Sequence, residues 1–443
     1  MVALQRQLAC PTSHQWRRQP RVISRVMLTF ALARSCFVTP IGIFRQPSPS
    51  HASESMSTQL AISQLAISHL ARAVVLACRS GALALLTGCA VVAQSSPQTP
   101  SATAALPKVL VIATGGTIAG VQDAPGTLGG YRAGTLPAEQ IIASVPELSR
   151  YAVIESEQFS NVASTAITPA QWLALSKRIE TVLRERKELA GVVVTHGTDR
   201  LEETAFFLYL TVRSDKPVIV VGAQRPATGI SPDGPINLLA AVRTIVSPQA
   251  VGKGVMVVMD DRILSAREVR KIYQRTGGFS GGEMGMLGVV GANGPEFLFA
   301  PVRRHGEQSE FDMRTVDSLP QVEMAYSYPG GTGPRFEKQP AGVAVQSNGF
   351  TRAESETFTA LRRAGVVVVT VFAGGDNMSA VGRGGGPAAD TVQRAAADSV
   401  RIPPAPPMVT AQHLTPAKAR ILLMVALTRT NNPREIQQLF QRY

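Results

Sequence analysis

The sequence predicts a two-domain α/β protein: a mostly parallel, doubly wound sheet in a larger N-terminal domain, and a smaller α/β domain at the C-terminal end. Three observations carry this expectation. Short β-branched runs recur along the chain, helical patterns lie between them, and one charged, strand-poor segment interrupts the series. Runs this apolar suit strands covered on both faces. Their alternation with helices is the pattern of parallel βαβ units.

The chain has 443 residues, 45% of them hydrophobic and 17% charged, enough apolar material for a large core and too much for wholesale disorder. Aromatics at 5% argue against a base-stacking nucleic-acid platform. The formal charge of +13 invites a nucleic-acid or membrane reading, but its distribution removes it. Residues 1–93 hold nine arginines against one acid, Glu54, a net +8; the other 350 residues carry only +5. All four cysteines (Cys10, Cys36, Cys78, Cys89) also lie in that first stretch, so the remainder has neither a disulfide nor a thiolate metal site. His196, His305 and His413 are too scattered to suggest a histidine-built metal site. No metal or cofactor is expected.

Residues 1–106 are read as a targeting segment and tether and excluded from the fold. Residues 73–93, AVVLACRSGALALLTGCAVVA, follow Arg72 and end in small residues, as a secretory signal does. Arg79 leaves the charge-free run well short of the roughly 20 residues a membrane span needs. Leu86-Thr87-Gly88-Cys89 resembles a bacterial lipobox, which would lipidate Cys89; Val91-Val92-Ala93 fits ordinary cleavage instead. Either exit implies a periplasmic protein, touching a membrane only through a lipid anchor. A polar Ser/Thr/Pro tether follows. Residues 1–55 are basic and patternless, consistent with an over-extended reading frame whose real start is Met56.

The expected strands are VLVIA (109–113), GVVVT (191–195), PVIVVG (217–222), GVMVVM (254–259), GVAV (342–345) and GVVVVTVF (365–372). Helices are expected at 169–185, with Pro169 after a Thr168 cap, and at 200–212 and 235–246. Residues 301–321 read as a linker. The expected domains are therefore 107–300 and 322–443.

Ligands of open α/β sheets bind beyond the carboxyl ends of the strands. Two strands end there in the same device. VLVIA runs into Thr114-Gly115-Gly116-Thr117, and GVVVT into His196-Gly197-Thr198-Asp199. Each sets a hydroxyl after glycine, where a substrate can come close. No GxGxxG follows the first strand and no GxxxxGK[ST] occurs, which weakens the dinucleotide and phosphate readings. One such threonine alone would be read as a helix N-cap; two on different strands favour a shared site. A threonine hydroxyl needs a group to take its proton. The candidates are Lys271, Asp199 and Tyr131. The plainer readings are a solvated helix lysine for Lys271 and a surface loop aromatic for Tyr131, which sits in a Gly-rich stretch able to close over a substrate. A lysine lowered in pKa by burial could serve as base, with Asp199 orienting it.

ATGGTIAG, THGTDRLEETAFFL, KPVIVVGAQRP, SPDGPINLLAAVR, GKGVMVVMDDRILSAREVRK and the terminal PAKARILLMVALTRTNNPREIQQLFQRY together resemble the bacterial periplasmic (type II) L-asparaginases and glutaminase-asparaginases. The resemblance is close over about 107–315 and 411–443 and poor between. It implies Thr117 as nucleophile, Tyr131 as its assistant, and Thr198, Asp199 and Lys271 as a second proton-handling group. It further implies a substrate-binding set of Gly116, Ser164 for the α-carboxylate, Thr165, Asp199 for the α-amino group, and the backbone of Ala223 beside the leaving amide. The substrate implied is L-asparagine, with L-glutamine, or a different primary amide, as the alternative. The implied assembly is a homotetramer, with no cofactor and no nucleic acid.

Three departures, and one missing match, shape the expectation. Thr165 stands where the family carries Gln or Glu. Arg200 follows the Thr-Asp pair, placing a long cation beside it. Phe350 falls at a family asparagine. Residues 373–407, rich in Gly, Ala and Pro, offer no match for the glutamate a partner subunit normally donates. The catalytic set is thus intact and the ammonium-binding set thinned. A catalytically weak amino-acid-binding relative is the reading from another functional class.

Overall fold

The structure is a computed structural model that describes residues 105–126, 129–372 and 403–443. The signal-like segment, Cys89 and residues 373–402 lie outside the described residues.

From the amino-terminal side, β1 (Lys108–Gly115) leads into a hairpin of β2 (Val121–Gln122) and β3 (Tyr131–Arg132). Then come β4 (Val153–Val162), β5 (Leu189–Thr195), β6 (Val218–Val221), β7 (Val255–Met259) and β8 (Arg262–Ser265). A short pair, β9 (Arg270–Lys271) and β10 (Phe279–Ser280), precedes β11 (Met286–Gly291) and β12 (Gly294–Phe297). The smaller sheet takes β13 (Val322–Tyr326), β14 (Gly342–Gln346), β15 (Val367–Val371) and β16 (Val409–Ala411).

The larger sheet has the order β12-β11-β8-β7-β6-β5-β1-β4. Its β4-β1-β5-β6-β7 portion is parallel, and β8, β11 and β12 extend it antiparallel. The smaller sheet, β13-β14-β15-β16, is parallel throughout. The protein is thus a two-domain α/β fold, as its sequence predicts.

Local chemistry explains the elements. The helix Pro169–Glu185 begins at a capping box in which Thr168 and Gln171 satisfy each other's backbone N–H, with proline in the first turn. The helix Leu201–Thr211 is buried almost all round, as its near-continuous apolar sequence requires. The helix Gly234–Ile245 follows, again with proline in its first turn. In the smaller sheet's region, Thr351 caps Arg352–Arg363 and Thr415 caps Pro416–Ala426, and Asn432 caps Pro433–Arg442. One apolar cluster joins the larger sheet to the Pro416–Ala426 helix and part of the smaller sheet. A second, around Val343, Val345, Phe358 and Val368, covers other positions of the smaller sheet.

One local expectation is overturned. Residues after GVMVVM do not form a helix, so Lys271 is not a solvated helix lysine. Met259 pairs antiparallel with Arg262, and the two residues between, Asp260 and Asp261, have φ of 53° and 59°. That is the two-residue turn of a tight hairpin, which takes left-handed residues at both central positions. The chain therefore reverses into β8 and delivers Lys271 on β9.

The order of the parallel strands locates the site. The chain leaves β1 for β4 on one side and then returns to β5 on the other. The crevice past the carboxyl ends of β1 and β5 is thus the switch point where such sheets bind ligands.

Candidate active site

At that crevice the two strand-end loops touch. Gly116 has φ of 84°, and a Cβ placed on it would lie 2.2 Å from the Cα of Gly197. Neither loop could carry a side chain at this contact and still approach. The Oγ of Ser164 also lies against Gly197, 2.9 Å from where its Cβ would be. Thr117 and Thr198, each one residue beyond these glycines, consequently border one space.

Thr117 opens the turn Thr117–Ala119, with Gly116 in the cap position, so the helix-cap reading of this threonine does not hold. It is only 5% exposed, and its Oγ1 lies 2.7 Å from the Oη of Tyr131. Tyr131 stands on β3, 40% exposed, its ring packed over Gly120. The hairpin is tied down at its base: the N–H of Gly134 bonds the carbonyl of Gly116 at 2.9 Å, and that of Gln122 bonds the Thr228 hydroxyl at 2.9 Å. Tyr131 is thus an exposed aromatic on an anchored hairpin, with its hydroxyl against Thr117.

The β5 loop is held from beneath. His196 is fully buried, its Nδ1 2.8 Å from the carbonyl of Gly197 and its Nε2 2.9 Å from Thr204 Oγ1. The indole of Trp172 donates to the same hydroxyl at 2.8 Å. Indole N–H can only donate, so the Thr204 proton turns to Nε2, and Nδ1 keeps the proton it gives to Gly197. Burial lowers the His196 pKa to about 4, which keeps the ring neutral near pH 7.

Lys271 supplies the third element. Its Nζ donates to Thr198 Oγ1 at 2.8 Å, to Asp199 Oδ1 at 2.6 Å and to Gln274 Oε1 at 3.3 Å. Its side chain is 10% exposed and that of Asp199 is half exposed. The backbone N–H of Lys271 donates to Glu202 at 2.6 Å, which fastens β9 to the first turn of the helix that follows Asp199.

The predicted binding residues divide. Ser164, buried, accepts the N–H of Arg200 at 3.3 Å and belongs to the cluster. Ala223 is fully buried after β6, beside Gly222, which lies against the Thr198 methyl group. The next two N–H groups, of Gln224 and Arg225, both bind the Asp233 carboxylate at 2.8–3.1 Å, pinning that turn. Thr165 is exposed on the turn Ser164–Ala166. The expected cation beside the Thr-Asp pair is otherwise engaged: Arg200 bonds Glu203 at 2.6 Å. Phe350 packs on Phe358, ring centres 5.0 Å apart, in the smaller sheet's region. Sequence reading passed over His196, Thr204, Trp172 and Glu202. Only His196 had a visible signal, its place inside the THGTD motif.

The arrangement can do acyl-transfer chemistry. Two hydroxyls border the switch-point crevice, Thr117 bonded to the Tyr131 hydroxyl and Thr198 to the Lys271 Nζ. Fold and site together define an α/β amidohydrolase. A family model described as Asparaginase, N-terminal, matches residues 108–303. The chain is 38% identical to L-asparaginase 2 of Bacillus subtilis (strain 168), over 76% of this chain and 87% of that protein. It is 39% identical to the glutaminase-asparaginase of Pseudomonas fluorescens biotype A, over 82% of this chain and 97% of the relative. The crystal structure of a probable cytoplasmic L-asparaginase from Campylobacter jejuni matches with TM-score 0.67 and 34% identity, covering 76% of this chain and 100% of that one. The chain belongs to the asparaginase family.

Proposed function

We propose that the protein hydrolyses the side-chain amide of L-asparagine to L-aspartate and ammonia, with Thr117 as nucleophile. The observation that carries this is the 2.7 Å contact between Thr117 Oγ1 and Tyr131 Oη at the switch-point crevice. Tyr131 takes the hydroxyl proton as Thr117 Oγ1 adds to the amide carbon. The Thr198–Asp199–Lys271 group, on the facing loop, passes a proton to the departing nitrogen. Backbone N–H groups at the strand ends stabilise the carbonyl oxygen as it gains negative charge. Ammonia leaves an ester on Thr117, and water cleaves that ester to release aspartate and restore the hydroxyl. Ser164 receives the substrate α-carboxylate, Asp199 the α-ammonium, and the backbone of Gly116 and Ala223 lines the pocket around the amide.

Thr117→Ala tests the assignment. We expect a folded protein whose ammonia release from asparagine falls by several orders of magnitude. Near-wild-type release would overturn it. A glutaminase-asparaginase activity is the second reading, favoured by the similarity to the Pseudomonas fluorescens protein. Comparing kcat/KM for the two amides in the same assay decides between them.

We further propose a homotetramer, division into domains near residues 301–321, and a periplasmic location. The location rests on the signal-like stretch at 73–93, since the related Campylobacter jejuni structure is named as cytoplasmic. Cell fractionation with fatty-acid labelling, for wild type and Cys89→Ala, separates a lipid anchor from simple export.

A further inference from the structure

Lys418 lies on the helix Pro416–Ala426, near the carboxyl end of the chain, and is 1% exposed. Among the described residues its Nζ meets no carboxylate. It donates to three backbone carbonyls, those of Ala266 at 3.2 Å, Arg267 at 2.8 Å and Val269 at 2.5 Å. The face of Phe206 lies 5.7 Å away. Residues 266–269 are the link between β8 and β9, and Lys271 follows two residues later. The same link is held a second time: buried Arg267 bonds the carbonyl of the terminal residue Tyr443, and that of Gln412 at 3.4 Å.

Packing alone does not call for an ammonium here. Burying one is costly unless all its N–H groups find acceptors, and an aliphatic chain would fill the space without that cost. Burial lowers the Lys418 pKa to about 7; Glu202 and Glu268 pull it up, and Arg267 and Arg270 push it down. Only the charged form has three N–H groups, one for each carbonyl. The Pro416–Ala426 helix also packs on the Leu201–Thr211 helix, whose Glu202 accepts the Lys271 N–H. Both supports of the Lys271 backbone therefore converge on this one helix.

We propose that Lys418 is a positioning residue for the reaction: by gripping the backbone of residues 266–269 it fixes where the Lys271 ammonium meets Thr198 and Asp199. The proposal rests on the reading that Lys271 handles a proton in amide hydrolysis. A displacement of about 1 Å at a catalytic group can cost on the order of 100-fold in rate.

The test uses the full chain. Lys418→Met keeps an unbranched side chain one atom shorter and removes the donors. We expect kcat to fall about 10-fold to 100-fold, with KM unchanged within about twofold. In a Lys271→Met background the same substitution should lower kcat no further, because the two residues act through one group. Phe358→Leu, in the separate apolar cluster, controls for lost stability and should keep wild-type kcat. If Lys418→Met does not fold, Lys418→Gln, with two shorter-reaching N–H donors, carries the measurement. Unchanged kcat in the folded variant, or an additive loss in the Lys271→Met background, overturns the proposal. Lys271→Met with wild-type kcat would instead remove the reading of Lys271 on which it rests.

Discussion

The two halves of the catalytic crevice are built to different standards. On the β5 side the loop that carries Thr198 and the strand that carries Lys271 are backed by buried structure. His196, Thr204 and Trp172 form a closed hydrogen-bond chain under the Thr198 loop, and Glu202 and Lys418 hold the Lys271 strand. On the β1 side Thr117 is equally buried, but Tyr131, whose hydroxyl it meets, stands on a two-by-two-residue hairpin and is 40% exposed. A site must be rigid where it aligns protons and open where substrate enters. The difference assigns the first task to β5 and β9, and the second to the hairpin.

This comparison can be broken directly. Thr198→Val removes the hydroxyl that meets Lys271 Nζ while leaving the scaffold below intact, so we expect kcat to fall by about 10²- to 10⁴-fold. Tyr131→Phe should cost less, about 10- to 100-fold, because water reaches the exposed hairpin and can take up part of the proton transfer. Native-state hydrogen exchange sharpens the same contrast. Amides of 121–126 and 129–134 should exchange faster than those of 195–199 and slow on adding aspartate. Equal protection of both segments without ligand, or a Tyr131→Phe loss exceeding that of Thr198→Val, would remove the distinction.

The same asymmetry governed what could be read from sequence. β1, β5, β6, β7, β14 and β15 were legible because strands covered on both faces need unbroken apolar runs. β4 was not. Its sequence VIESEQFSNV is polar because it forms the sheet edge and is only half covered. The antiparallel extension was hidden by its turn, where Asp260 and Asp261 replace the usual Asn-Gly or Asp-Gly signal. Within the site, the hydroxyl-after-glycine pattern marked Thr117 and Thr198 and the Gly-rich stretch marked Tyr131, whereas Ser164 and Ala223 came only from family resemblance. Glu202 and Lys418 carry no local signature, since their partners are a backbone N–H 69 residues away and carbonyls 149 to 152 residues away.

The rigid side also predicts a pH dependence of stability. His196 is neutral when folded, with its pKa lowered to about 4 from an ordinary 6.5. Below pH 6.5 the unfolded chain binds a proton that the folded one does not, so stability falls with pH and levels off only below pH 4. A shift of this size amounts to about 3 kcal/mol in full, of which about 2 kcal/mol is lost by pH 5. Denaturant unfolding at pH 7 and pH 5 should show wild type losing about that much more than His196→Gln. If the two lose the same amount, the ring does not titrate as its burial implies.

The smallest expected effect concerns the substrate's ammonium. Asp199 already commits Oδ1 to Lys271, leaving one carboxylate oxygen for a ligand cation. Thr165 is exposed on the turn that carries Ser164 and can offer an ammonium no more than a hydroxyl. Arg200 neither helps nor strongly opposes, because Glu203 holds its guanidinium. Asparagine binding should therefore be weak while the chemical step is sound. Thr165→Gln puts an amide oxygen on the turn that carries Ser164. A charge-assisted hydrogen bond is worth roughly 1.5–3 kcal/mol when well made, but exposure on this turn reduces it to about 1 kcal/mol or less. KM for asparagine should fall about two- to fivefold with kcat unchanged, the mark of restored uniform binding. The gain should vanish with succinamic acid, which lacks the α-amino group. An equal gain on both amides would mean that the glutamine acts on the turn itself and not on the ammonium, and the thinned ammonium site would cease to explain the KM.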